Sequence, residues 1–447
     1  LKWRALMAVM LLAVLPAAAQ HADKDRFEDN YIITTWDVDG TFPFIAVTAL
    51  AQTPDGFLWV GSYSGLAWFD GWRFVPIIEG TTPALDQAMV LSMVTDHEGA
   101  LWVGTSVGVA VLKDGVWQSY GVDDGLPEGW VRAIAVGPGG EIVAAIGRQI
   151  VCFNDGKFKP FAPAFAEGNR LLPLKLVYDQ AGTLWAMGED VLARLDGDQW
   201  RVLCESSDGA KDDTLLGIAR ANEGGVWVAD GAFIKHYKGD HVVRSIPRMP
   251  GHLGEAVQIH EDADGLVWTA GYIYGVVTYD KDDRPVECTM DQGLRNNACL
   301  VLFQDDETNI WVGSNGGGLA RIRKRSFYTY DEQAGMVQPV VNALVEVEPG
   351  KLLVGTHGGG LLPFSEGKFG EALTTSTTTK DLNQRSWINA VVNQPGVGLW
   401  VSTYGNGAYL LNEGKWQVFR EAELGADSVY ALFLDSRNRL WMGTSQG

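Results

Sequence analysis

The chain has 447 residues, more than one ordinary domain holds unless it is a repeat array. Hydrophobic residues make up 46% and charged residues 20%, a globular balance, while 54 glycines and 17 tryptophans point to short strands joined by tight turns. A formal charge of -20, spread along the chain with no basic stripe, argues against a nucleic-acid surface and suits a soluble protein.

The first residues, LKWRALMAVMLLAVLPAAAQ, place Lys2 and Arg4 before an apolar run from Ala5 to Leu15 and an Ala-x-Ala ending at Ala19. That layout predicts a secretory signal peptide over residues 1–19, with an exported, periplasmic remainder. The apolar run is too short to span a bilayer comfortably, and no later stretch is long and apolar enough to do so. Next comes YIITTWDVDGTFP, residues 31–43, which aligns with the outer strand and following loop of later units such as WQSYGVDDGLP. It is expected to close a ring across the termini.

From here the chain repeats one sentence. Trp59 sits in GFLWVGS, Trp102 in GALWVGT, Trp185 in GTLWAMG, Trp227 in GGVWVAD and Trp268 in GLVWTAG. Trp311, Trp400 and Trp441 follow in NIWVGSN, GLWVSTY and RLWMGTS, while Val143 and Leu353 hold the same place in EIVAAIG and KLLVGTH. Successive anchors lie 41 to 43 residues apart, except for one step of 47 that contains the insert ALTTSTTTKDLNQ. Each unit reads as an alternating inner strand, a Gly or Asn turn, the tryptophan strand, a small-residue turn, a third strand, another turn and an outer strand. Four antiparallel strands in about 42 residues make one β-propeller blade. The recurring ring is expected because one blade cannot cover its own apolar face. Helical periodicity is absent, which excludes TPR and HEAT arrays. The marks of WD40 and of Asp-box repeats are also absent.

The fold class expected is therefore all-β: a β-propeller of four-stranded blades, with one seven-bladed ring over residues 20–331 and about three blades of a second ring over 332–447. Ten anchors exceed the usual maximum of eight blades. The chain stops at LWMGTSQG, on the second strand of a blade, which leads to the expectation of a C-terminally truncated piece. Four cysteines, Cys152, Cys204, Cys288 and Cys299, lack CxxC or zinc spacing and read as small buried hydrophobes, with Cys288–Cys299 the one pairing worth checking.

Motifs that could carry catalysis resolve into turns. GTSVG (residues 104–108) and GTSQG (443–447) match G-x-S-x-G, but each occupies the hairpin slot that elsewhere reads GSYSG or GSNGG, with no helix to follow. GGGLA and GGGLL lack the Lys-Ser/Thr of a phosphate loop. EDADG resembles the start of a calcium loop without the remaining ligands. No catalytic residue, metal site or cofactor is expected.

Binding is the better expectation. In propellers the hairpins between second and third strands and the loops joining blades gather at one end, around a central funnel. The hairpins carry Tyr63, Arg148, Tyr272, Tyr274, Asn315, His357 and Tyr404; the joining loops carry Trp130, Arg295, Asn296 and Trp387. Aromatic plates with amide and guanidinium donors suit stacking on a sugar and hydrogen-bonding its hydroxyls.

The segments DGLPEGWVRAIAVGPGG, DGFLWVGSYSGLAWFDGWRF and DQGLRNNACLVLFQDDETNIWVGSNGGGLARI resemble two-component regulator propeller repeats. The resemblance implies the periplasmic sensor region of a hybrid histidine kinase or diguanylate cyclase. It further implies two seven-bladed propellers, an immunoglobulin-like module, one membrane helix and a cytoplasmic output domain, with membrane contact only through parts beyond residue 447. It implies a small-molecule or oligosaccharide ligand and signalling through a homodimer whose propellers shift on binding. Two other readings stand beside it: a secreted propeller enzyme, since streptogramin lyases resemble the chain in their short DG-x-hydrophobic-W strands, and a protein-binding scaffold.

Overall fold

The computed structural model describes residues 27–37, 40, 42–78, 80–161, 173–188, 191–205, 215–249, 256–375 and 382–447. The expected signal peptide over residues 1–19 lies outside these, as does 376–381 of the low-complexity insert. No helix among the described residues is long and apolar enough to cross a membrane.

All ten anchors fall on the second strand of an antiparallel sheet, and each sheet is a simple up-and-down meander. The first sheet runs Val47–Gln52, Leu58–Ser62, Gly65–Phe69 and Phe74–Pro76. Sheets two to six repeat this order through Pro285–Cys288. Contact density divides the chain after Arg325 into two units. Arg325 is a natural edge: its amide donates to the Asn30 carbonyl at 2.7 Å and its guanidinium to the Glu28 carbonyl at 2.9 Å, tying it back to the start of the first unit.

In the first unit, each sheet's first strand lies beside that of the next sheet. The seventh, Cys299–Gln304, lies beside Val47–Gln52, so the succession returns to its start. The seventh sheet draws three strands from Cys299–Gln304, Ile310–Ser314 and Leu319–Lys324, and its fourth from Tyr31–Trp36. Tyr31 pairs with Lys324 and Trp36 with Leu319 in unbroken antiparallel register. The ring-closing strand read from YIITTW is therefore present. Trp36 stacks on Trp311 at 5.4 Å, and the Arg321 guanidinium lies 5.6 Å from each ring.

The second unit contains two four-stranded sheets, beginning with Val341–Glu348 and Ile388–Gln394, and the two-stranded pair Val429–Leu434 and Leu440–Thr444.

The apolar cores lie between sheets rather than within them. One core joins Ala49, Trp59 and Leu66 of the first sheet to Val90, Leu101 and Val103 of the second. Another joins Trp268 and Val276 of the sixth to Leu302 and Val312 of the seventh. A third joins Val60 and Phe69 of the first to Val301 and Trp311 of the seventh. The seven anchor tryptophans from Trp59 to Trp400 are all buried, whereas Trp441 is 57% exposed. Burying one such ring is worth about 4–6 kcal/mol as an upper bound at ~25 cal/mol per Å². Cys288 and Cys299 are buried free thiols in the same core as Trp268, so the pairing singled out in the sequence is not formed.

Each indole N–H also needs an acceptor once buried. Asp96, Asp179, Asp262 and Asp305, six residues before their tryptophans, take it with one carboxylate oxygen at 2.6 to 3.0 Å. The other oxygen accepts two turn amides, as when Asp262 receives those of Asp264 and Leu266. Thr53 and Gln394 serve Trp59 and Trp400. Trp227 has Ala221 at that position and donates instead to Glu261 of the next sheet at 2.9 Å. Where the anchor is Val143 or Leu353, the position holds Gly137 or Val347, and no acceptor is required. The EDADG stretch is thus a turn whose aspartate holds Trp268.

The glycine two residues after the anchor serves close approach. A Cβ on Gly61 would stand 2.4 Å from Val90 Cγ1 of the next sheet, and one on Gly313 would stand 2.5 Å from Val47 Cγ1 across the closing contact.

Candidate functional site

Because strands alternate in direction, the joining loops and the hairpins after the tryptophan strands lie at the same end of each unit. Those hairpins are locked by a recurring hydroxyl three residues after the anchor. Ser62 donates to the Gly65 carbonyl at 3.0 Å, Thr105 to Gly108 at 2.9 Å, Ser314 to Gly318 at 3.0 Å, Thr356 to Gly360 at 2.9 Å and Thr403 to Gly407 at 2.7 Å. Thr105 Oγ1 also accepts the Gly108 amide at 3.1 Å. GTSVG is therefore a clamped hairpin between Leu101–Thr105 and Val109–Lys113 and has no place for a nucleophile elbow. The clamps fix the hairpin backbone and present the residues at its tip.

Eight candidates fall in the first unit and three in the second, so each unit presents its own set. In the first, Tyr63, Trp130 and Tyr272 are about half exposed. Trp130 carries the Arg132 guanidinium 5.2 Å from its ring centroid. Arg148 lies on the hairpin after Ile142–Ile146, and Tyr274 lies beside the buried Arg248 in a small pocket with Tyr279. Burial lowers the Arg248 pKa from its ordinary value; its guanidinium donates to the Asp230 carbonyl at 3.0 Å.

Three other candidates are engaged in closing the unit. Arg295 pairs with Asp37 at 3.1 Å. Asn296 Nδ2 donates to the Asn315 carbonyl at 2.9 Å. Asn315 forms an isolated bridge with Ala46 and donates its amide to the Ala298 carbonyl at 2.8 Å. The Arg295 side chain and the Asn315 backbone hold the seventh sheet's loops against the segment leading into the first sheet, and Asn296 braces the Asn315 carbonyl.

In the second unit the three candidates meet. His357, on the hairpin after Lys351–Thr356, bridges to Trp387 on the joining loop, with ring centroids 4.0 Å apart. Trp387 stacks on Tyr404 at 5.4 Å. Tyr430 extends the row at 6.2 Å. Trp387, Tyr404 and Tyr430 are each 42% to 51% exposed. Backbone bonds from His357 N to the Val340 carbonyl and from Tyr404 N to the Trp387 carbonyl fix the row. Tyr430 did not stand out in the sequence because it lies within the first strand of its sheet, where alternation assigns either face.

A second concavity runs along the first strands of the first unit, a channel of about 480 Å³ bounded by all seven sheets. Polar side chains facing it include Gln52, Arg132, Lys175, Gln258, His260 and Gln304. His260 Nε2 lies 3.4 Å from Gln304 Oε1. Burial depresses the His260 imidazole pKa. Among the described residues there is no cluster of metal-ligating side chains.

The model of the two-component regulator propeller repeat matches residues 41–64 and 423–446. Both matches span a joining loop, a first strand, its turn and a tryptophan strand. No curated protein matches the chain in sequence. Among solved structures, the chain is similar to the extracellular domain of the hybrid two-component system BT3049 from B. thetaiotaomicron. The match covers 93% of this chain and 58% of that one, at 19% identity and a TM-score of 0.56. The extracellular domain of BT4673 from the same organism matches over 94% and 57%, at 15% identity and a TM-score of 0.55. Virginiamycin B lyase from Staphylococcus aureus matches over 65% of this chain and 99% of its own, at 13% identity and a TM-score of 0.55. The chain thus spans less than three-fifths of the two sensor-system domains, and likeness at these identities establishes the β-propeller fold. The chain thus carries two-component regulator propeller repeats at residues 41–64 and 423–446, and the same strand order runs through the sheets between them.

Proposed function

We propose that the chain is the periplasmic ligand-sensing region of a bacterial membrane signalling protein of the two-component type, led by a signal peptide over residues 1–19. In this reading the first unit is a seven-bladed propeller and the second unit is the opening of another. The observation that carries the reading is the pairing of regulator repeats with a fold likeness over 93% of the chain to an extracellular sensor-system domain. Neither unit needs a catalytic residue for this role. The parent protein then supplies the membrane helix and a histidine kinase or diguanylate cyclase output, and ligand shifts the balance between arrangements of a dimer.

The ligand class proposed is an oligosaccharide, and its contact surface is drawn from the candidate hairpins. The row of His357, Trp387 and Tyr404 is the best-formed part of it, since half-exposed rings on clamped loops suit carbohydrate faces. Isothermal titration of the purified chain against a panel of oligosaccharides tests this. Saturable binding that Trp387→Ala weakens tenfold or more is expected. Binding that ignores both Trp387→Ala and Tyr404→Ala overturns the assignment of the surface, and absence of binding across the panel overturns the ligand class.

The likeness to virginiamycin B lyase favours one alternative, a secreted propeller enzyme. Incubation with a streptogramin followed by mass spectrometry separates the two: the sensor reading expects the compound to remain intact.

A further inference from the structure

The channel of the first unit differs in charge from the rest of the molecule. The chain carries 55 acidic against 35 basic residues, yet no described aspartate or glutamate lines the channel, and two cations do, Lys175 and Arg132. They sit near the starts of Lys175–Tyr178 and Val131–Val136, first strands of neighbouring sheets that lie side by side. Both cations are therefore at the end where the joining loops and hairpins gather. The acidic residue nearest in sequence to the lining His260 points away: Glu261 accepts the Trp227 indole and the Asn222 amide between sheets.

Arg132 occupies the irregular position between Val131 and Ala133, where the pairing with the second strand shifts register. The shift leaves its side chain exposed at the mouth, beside Trp130. Lys175 lies in a sheet whose first pairing is regular, one strand step further in. Among the described residues no carboxylate stands within ion-pair distance of its ammonium, and burial alone lowers its pKa. Lys175 is half-buried on the channel wall, and a partly desolvated cation with no described carboxylate beside it is favourably completed by an anion.

We propose that the channel of the first unit is a binding site for the anionic group, carboxylate or phosphate, of a small molecule, with Lys175 as the inner contact and Arg132 as the contact at the mouth. The guanidinium offers a planar fork that fits two oxygens of either group, and the ammonium supplies a compact second charge. The site requires only the first unit and is independent of the sensor reading and of the aromatic row.

The test uses the purified full chain at physiological ionic strength, titrated calorimetrically with inorganic phosphate, citrate and glucuronate, with glucose as the neutral probe. Saturable binding of at least one anion and none of glucose is expected, and the anion that binds distinguishes phosphate from carboxylate recognition. Lys175→Gln should weaken binding tenfold or more, and Arg132→Gln severalfold, the scale of losing one charge-assisted contact. Lys113→Gln, which removes an exposed lysine paired with Glu98 on the outer part of the second sheet, should leave it unchanged. Lys175→Met should fold with a melting temperature equal to or above that of the parent, since it removes an uncompensated charge. Absence of saturable anion binding, equal binding by Lys175→Gln, or a melting temperature several degrees lower in Lys175→Met would each overturn the proposal.

Discussion

Asp262 and Asp435 make the same three bonds, and their removal should have unequal consequences. Asp262 accepts the amides of Asp264 and Leu266 at 2.9 Å and the Trp268 indole at 2.8 Å; Asp435 accepts those of Arg437 and Arg439 at 2.9 Å and the Trp441 indole at 3.1 Å. Trp268 is fully buried, so in Asp262→Ala its indole N–H is stranded without water, a loss of about 1–3 kcal/mol. The two turn amides lose a charged acceptor at a half-exposed turn, about 0.5–1.5 kcal/mol each. The sum is roughly 2–6 kcal/mol. Trp441 is 57% exposed, and water replaces the carboxylate at its indole and at both amides in Asp435→Ala. Urea unfolding followed by tryptophan fluorescence should therefore show a midpoint shift for Asp262→Ala at least twice that for Asp435→Ala. Equal shifts would refute the claim that the aspartate matters because the ring above it is dry.

Three further outcomes follow from the packing. Gly313→Ala should destabilise the first unit by about 1–3 kcal/mol in thermal unfolding, because its Cβ would overlap Val47 at the closing contact. Cys288 and Cys299 should resist alkylation in the native chain and react on unfolding; burial raises both thiol pKa values, that of Cys299 to about 12. Mass spectrometry after a short iodoacetamide pulse reads this out. Burial outweighs Gln304, Asp262 and Glu261 in setting the His260 pKa below its ordinary value, so between the two values the unfolded chain binds more protons than the folded one. Stability should fall as pH drops below about 6.5 towards the lowered value, and His260→Gln should lack that component of the slope in pH-dependent unfolding.

The blades were legible because an apolar anchor, an indole in eight of ten units, recurs at steps of 41 to 43 residues with one of 47, and can be seen without knowing what it touches. The closing strand was legible because YIITTW repeats an outer strand's pattern. Less visible was why the rest of the sentence recurs. The aspartate six residues before the anchor looked like ordinary turn chemistry, yet it is replaced by Gly137 and Val347 in the two units whose anchors lack an N–H. That covariation within one chain was the available signal. The glycine of WVG looked like turn punctuation and is instead a seat for the next sheet's valine.

The candidate surface was partly legible. Position in the repeat identified hairpin tips, and His357, Trp387 and Tyr404 do meet. Position could not tell that Arg295 and Asn315 are occupied in holding the seventh sheet's loops to the start of the chain, since their partners Asp37 and Ala46 are distant in sequence. Lys175 and Arg132 were invisible for a related reason. Their significance lies in the absence, among the described residues, of carboxylates lining the channel from the other five sheets.

The pairing of Tyr31 with Lys324 fixes an order of events. During synthesis the earliest ordered strand must wait, edge bare, until the seventh sheet has emerged, so the circle is sealed last and by its oldest segment. The circle is thus held open until nearly three hundred residues have followed, and cutting between any two blades of the finished circle should leave it closed by the same clasp.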